Sequence, residues 1–154
     1  PDVDGHEARG ADVELHVPAL IPDEYLPDVH TRLTLYKRIS GARNPEELRE
    51  LQVEMIDRFG LLPDPAKHLF AVAELKLQAT ALGIRKLDIG ATGGHIQFVE
   101  KPNVDPMAII RMIQGQPKLY QMDGPDKLRL KLELPDAASR INAARGLFAT
   151  LQPG

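Results

Sequence analysis

The chain of 154 residues is long enough to bury a core and fits a single domain. With 43% hydrophobic residues, 27% charged residues and a formal net charge of −3, it has an ordinary globular balance and no global basic field to draw it to nucleic acid. It has no cysteine, which excludes disulfides, thiolate metal sites and a cysteine nucleophile, and no apolar run approaches the roughly 18 residues of a membrane-spanning helix.

In chain order, residues 1–11 are polar and read as a linker or remnant, and a start at Pro1 without an initiator Met reads as a piece of a longer protein. No secretory signal pattern is present. Residues 12–154 read as one domain. Residues 12–17 alternate polar and apolar, a strand signal, and Pro18, Pro22 and Pro27 then enforce turns. Asp28 is positioned to cap a helix to Ser40 with Val29, Leu33, Tyr36 and Ile39 on its apolar face, stopped by Gly41. A second helix opens at Asn44-Pro45 and ends at Phe59-Gly60; a third runs from Asp64-Pro65 to Leu82-Gly83, apolar over most of its circumference. Ile84, Leu87 and Ile89, then Gly90 to Gly94, then residues 95–99 predict a β-hairpin. Asp105-Pro106 opens a helix to about Gln114, and a short strand follows over 119–121. Residues 127–134 alternate strictly, with Leu128, Leu130, Leu132 and Leu134 on one face, and Asp136 opens a last helix to about Leu151. The fold class is α+β: a helical N-terminal half packed with a small antiparallel sheet, a hairpin plus further strands, and a C-terminal helix.

Signatures of catalysis are missing. His6, His16, His30, His68 and His95 have no metal-ligand spacing, and the glycines at 90, 93 and 94 lack the Lys-Ser/Thr ending and following helix of a phosphate loop. The only serines, Ser40 and Ser139, lie in no nucleophile motif. No enzymatic activity of this chain and no cofactor is expected. Two charged faces remain. On the second helix, Glu46, Glu50, Glu54 and Asp57 fall within about 80° of one another, opposite Leu48, Leu51, Met55 and Phe59, with Val53 at the stripe's edge. Four like charges at helical spacing repel, and a basic partner would relieve them. On the strand over 127–134, Lys127, Arg129 and Lys131 share a face, with Arg85 and Lys86 expected nearby on the same sheet; a solvated outer face is the ordinary reading of such a row, and a nucleic-acid or RNA polymerase contact the alternative.

The most specific blocks are Pro22-Asp23-Glu24-Tyr25-Leu26-Pro27-Asp28, Arg32 with Tyr36-Lys37-Arg38-Ile39, Glu54-Met55-Ile56-Asp57-Arg58-Phe59-Gly60 with Leu62-Pro63, Leu82-Gly83-Ile84-Arg85-Lys86-Leu87, and Asp123-Gly124-Pro125. In this order they resemble the C-terminal domain of the bacterial transcription-repair coupling factors (Mfd, or TRCF), over Asp12 to about Leu151. The resemblance implies a non-catalytic regulatory domain of a cytoplasmic, ATP-driven DNA translocase of transcription-coupled nucleotide excision repair. Such a domain folds back on the UvrB-like module of its own protein and masks the surface that UvrA would bind until RNA polymerase is engaged. UvrA and RNA polymerase are thus partners of the parent, reached indirectly; a membrane or direct DNA contact is not expected. In the family, acidic residues facing arginines of that module match Glu54 and Asp57; Glu46, Glu50 and Val53 extend the face on helical geometry alone.

Overall fold

The computed structural model describes residues 10–153, so most of the expected N-terminal linker, with His6, lies outside them. The described residues hold five helices and one five-stranded sheet, an α+β fold. Two compact units share the chain: a helical one over Val17–Leu77, and a sheet unit formed by residues up to His16 together with Gln78 onward.

The helical unit begins with a proline-rich segment lacking regular structure, whose backbone is tied down by side chains. The Ile21 N–H donates to the Tyr36 hydroxyl at 2.7 Å, Arg32 donates to the carbonyls of Leu26 and Pro27 at 2.8 and 3.0 Å, and the Tyr25 hydroxyl donates to the Gly60 carbonyl at 2.8 Å. Tyr25, Arg32 and Tyr36 of the distinctive sequence blocks therefore serve the scaffold. Helix α1 spans Val29–Ser40, with Asp28 as N-cap accepting from the Thr31 N–H, and α2 spans Pro45–Phe59. Helix α3, Asp64–Leu82, starts in this unit and ends in the other. Ile21, Leu26, Leu35, Ile39, Leu48, Leu51, Met55, Leu62, Ala66 and Phe70 form one apolar cluster.

The core face of α1 differs in part from the expected one. Ile39 is buried and Tyr36 packs on the core as expected, but Val29 and Leu33 are each 57% exposed, and Leu35 is buried in their place. The sequence satisfies two helical stripes at once, and the buried stripe is the one facing Leu26, Leu48 and Leu51 of the same cluster. Gly41 does end α1, but with φ −92°, in the right-handed region rather than as a left-handed cap.

In the sheet unit, β1 is Asp12–Glu14, β2 Ile84–Gly90, β3 Gly93–Phe98, β4 Tyr120–Met122 and β5 Lys127–Lys131, with spatial order β1-β2-β3-β5-β4. The β2–β3 hairpin forms where expected, but its strands extend into the glycines, leaving Ala91 and Thr92 as the turn. Gly93 has φ +117°, and a side chain on Gly94 would drive into the Asp88 carbonyl, so both positions require glycine. The sheet is mostly rather than wholly antiparallel, because β1 pairs with β2 in parallel. β1 is also shorter than the expected strand: His16 sits at φ +57°, and its N–H donates to the Glu14 carboxylate at 2.9 Å, turning the chain out of the ladder. β5 stops at Lys131 although the alternation runs on, since β3 begins only at Gly93, opposite Lys131, and the amides of Leu132 and Leu134 donate to the turn carbonyls of Thr92 and Ala91 instead.

Leu87, Ile89, Ile96, Leu128 and Leu130 bury one side of the sheet. Helix α4 spans Pro106–Gly115 and α5 Ala137–Leu151, the latter burying Ile141, Ala144, Leu147, Phe148 and Leu151. A capping box holds the start of α5: the Asp136 carboxylate accepts from the Ser139 N–H at 2.8 Å, and the Asp136 N–H donates to the Ser139 hydroxyl at 3.2 Å. The first of these bonds, with that from the Ser139 hydroxyl, holds the Asp136 carboxyl below its ordinary range. A carboxyl lowered in the folded state stabilises above its unfolded value and loses that contribution as pH falls through the folded one. Asp136→Ala is therefore expected to lower Tm by a few degrees at neutral pH, with the difference from the parent chain closing as pH falls below the ordinary carboxylate range in a calorimetric pH series.

Candidate interaction surface

Helix α2 forms because each end has its own partners. At the start, the Asn44 side chain accepts from the Glu47 N–H at 2.9 Å, Glu47 accepts from the Arg43 N–H at 2.8 Å, and Pro45 fills the first turn. At the end, Gly60 adopts φ +96° and its N–H donates to the Ile56 carbonyl. Tyr25 packs edge-on to Phe59 at 6.2 Å, and Arg58 lies 4.7 Å over the Phe59 ring, so the last turn is held from both sides. Leu48, Leu51 and Met55 are buried. The opposite face carries Glu46, Glu50, Val53 and Asp57, all exposed, and Glu54, which is half-exposed.

Those four carboxylates are not equivalent, which changes the electrostatics expected of the stripe. The Arg38 guanidinium of α1 grips Glu54 with both prongs, Nη1 to Oε2 and Nη2 to Oε1, each at 2.9 Å, and Arg58 adds a longer contact at 3.5 Å. The hydrogen bonds from Arg38 hold the Glu54 carboxyl below the usual carboxylate range, and the same bonds raise the Arg38 guanidinium. Glu46 is paired with Arg49 at 2.8 Å. Glu50 and Asp57 have no ion pair among the described residues. Instead of four repelling acids, the helix presents two paired and two open ones. Between the open ones sits Val53, 59% exposed, and just past the helix end Leu61 is 83% exposed. Arg58 was readable in the sequence as the i+4 partner of Glu54. Arg38 was not, because only the packing of α1 beside α2 brings it there.

The basic face resolves differently. Lys127, Arg129 and Lys131 do share the outer face of β5, and a shallow concavity of about 370 Å³ there is lined by His95, Asp123, Lys127 and Arg129 among others. Arg129 is paired with Asp123 at 2.9 Å. Across the sheet, register places Asp12 beside Lys86 and Glu14 beside Asp88, so acidic groups occupy the β1–β2 end of the face. Arg85 is exposed where the register of β2 shifts against β3. Register puts Lys86 in one row with Gln97 and Lys127, so it shares the face of the β5 cations, with acidic groups beside it. Among the described residues no group of three or more His, Asp or Glu side chains could hold a metal ion, and no helix is long and apolar enough to cross a membrane.

The chain is thus an α+β domain whose second helix presents open carboxylates around an exposed valine. The same fold occurs in a solved structure of the C-terminal domain of transcription-repair coupling factor, with a TM-score of 0.74 over 92% of this chain and 94% of that one, at 19% identity. The chain belongs to the TRCF domain family, whose model matches residues 15–109. It is 45% identical over 152 residues to the transcription-repair-coupling factor of Escherichia coli and 44% identical over 151 residues to that of Haemophilus influenzae. These alignments cover 99% and 98% of this chain but 13% of each relative, so the chain spans only a small part of their length.

Proposed function

We propose that this chain is a non-catalytic regulatory domain of a longer transcription-repair coupling factor, and that α2 is its docking face. In this reading the domain clamps onto the UvrB-like module of the same protein and covers the surface that UvrA would use until RNA polymerase is engaged. The observation that carries it is the face itself: Glu50 and Asp57 open to solvent, Val53 exposed between them, and Glu54 alongside. Open carboxylates around a small apolar centre suit an arginine-bearing surface, with charge setting register and the valine excluding water. A tethered partner sees effective concentrations of order millimolar, so a weak contact holds the clamp shut and a modest competing interaction opens it.

Titration calorimetry of the chain against the isolated UvrB-like module tests this. Binding that weakens as salt rises, and that Glu54→Ala/Asp57→Ala loses, is the expected result. Absence of binding at millimolar concentration, or full binding by the double variant, overturns it.

A further inference from the structure

We infer that Arg38 is an internal stand-in for a partner's arginine: it occupies Glu54 in the free domain, yields it on docking, and so sets how readily the contact releases. The inference rests on the docking reading of α2 and adds its regulation.

A carboxylate offers two oxygens, and an arginine fork satisfies one lone pair on each along the plane of the group. Arg38 already takes that edge of Glu54, with both prongs at 2.9 Å, and Arg58 approaches Oε2 from its own helix. An incoming guanidinium cannot form the same two-pronged contact while Arg38 remains. It must displace Arg38 or accept a single, poorer bond. Asp57 and Glu50 impose no such requirement, since neither is engaged among the described residues.

The exchange has somewhere to go. Arg38 borders a crevice of about 320 Å³ whose wall also carries Glu47, Glu50, Leu51, Glu54 and Gly41. The Glu50 carboxylate, which lines the same crevice, is an acidic group that a displaced Arg38 could turn to. Both partners of the present pair reach solvent, Arg38 at 46% and Glu54 at 36%, so the pair is screened and water can assist its exchange. Release then has a built-in competitor: whenever the partner's arginine lets go, Arg38 recaptures Glu54. A purely supporting Arg38, one that only aims Glu54 at its partner, predicts the opposite response to its removal.

The test is binding of the chain and its variants Arg38→Gln and Arg38→Lys to the isolated UvrB-like module, by calorimetry at one ionic strength, with thermal unfolding run on each to confirm folding. Arg38→Gln is expected to bind at least about threefold more tightly than the unaltered chain, the scale of one exposed ion pair no longer broken on docking. Arg38→Lys keeps the charge but cannot fork across both oxygens. It is expected to tighten binding as well, by a smaller factor. Equal or weaker binding by Arg38→Gln, with the unaltered chain binding normally, overturns the exchange and leaves the docking face standing. Tightening by Arg38→Gln with none by Arg38→Lys reduces the effect to net charge and also overturns it. Failure of both the unaltered chain and Arg38→Gln to bind overturns the docking reading together with the exchange.

Discussion

Met55→Ala is expected to destabilise the helical unit by roughly 2–5 kcal/mol, because it deletes a fully buried side chain and leaves a cavity between α2 and its neighbours. Met55 is 0% exposed and belongs to the cluster formed with Leu26, Leu35, Leu51 and Phe70. Its carbonyl also accepts from the Tyr25 hydroxyl at 3.3 Å, so movement of α2 into the void would strain the tie between the proline-rich segment and the helix end. Two residues earlier on the same helix, Val53 should behave in the opposite way: at 59% exposed, its truncation is expected to change stability by less than about 0.5 kcal/mol. Urea unfolding of the two variants, followed by tyrosine fluorescence, separates the face of α2 that holds the fold from the face left for a partner. Comparable losses from both would mean that Val53 is covered within the chain.

Asp57→Arg is expected to weaken docking to the UvrB-like module by at least about tenfold while moving Tm by no more than a degree or two. Asp57 is exposed and has no ion pair among the described residues, so its whole charge is available to a partner and reversal turns an attraction into a repulsion. Its neighbour differs. Removing the Glu54 carboxylate leaves Arg38 and Arg58 uncovered on the same surface, so part of any loss at that position arises from two cations newly facing a basic partner. Binding rates measured at two ionic strengths distinguish the positions: the Asp57 variant should lose most of its salt dependence in the association rate. An Asp57→Arg variant that docks normally would place the contact away from α2.

Most elements were legible because the signals that start and stop them are local. Asp28, Asn44, Asp105 and Asp136 each accept from a backbone N–H two or three residues on, and a cap of that kind is visible in the sequence. Gly83, where the third helix was expected to end, adopts φ +75°, a conformation that favours glycine. What could not be read depends on partners distant in sequence. Which stripe of α1 is buried was decided by the helices around it, not by its own periodicity. The parallel pairing of β1 with β2 joins Asp12 to Lys86 across the entire helical unit, and no local pattern announces it. The α2 face shows the same division: its acidic composition was plain from spacing, but the identity of the open carboxylates required Arg38.

The placement of β1 bears on the order in which the chain folds. The hairpin of β2 with β3 and the β4–β5 pair close over short stretches, whereas β1 must wait for a loop holding all of α1, α2 and α3 to close before its ladder can form. It is therefore expected to join last. Until then β2 is an edge with unsatisfied amides and carbonyls, available to any other strand nearby. A shortened version of the chain beginning after His16 would keep that edge open permanently, and a tendency to associate through it would be the price of the trim.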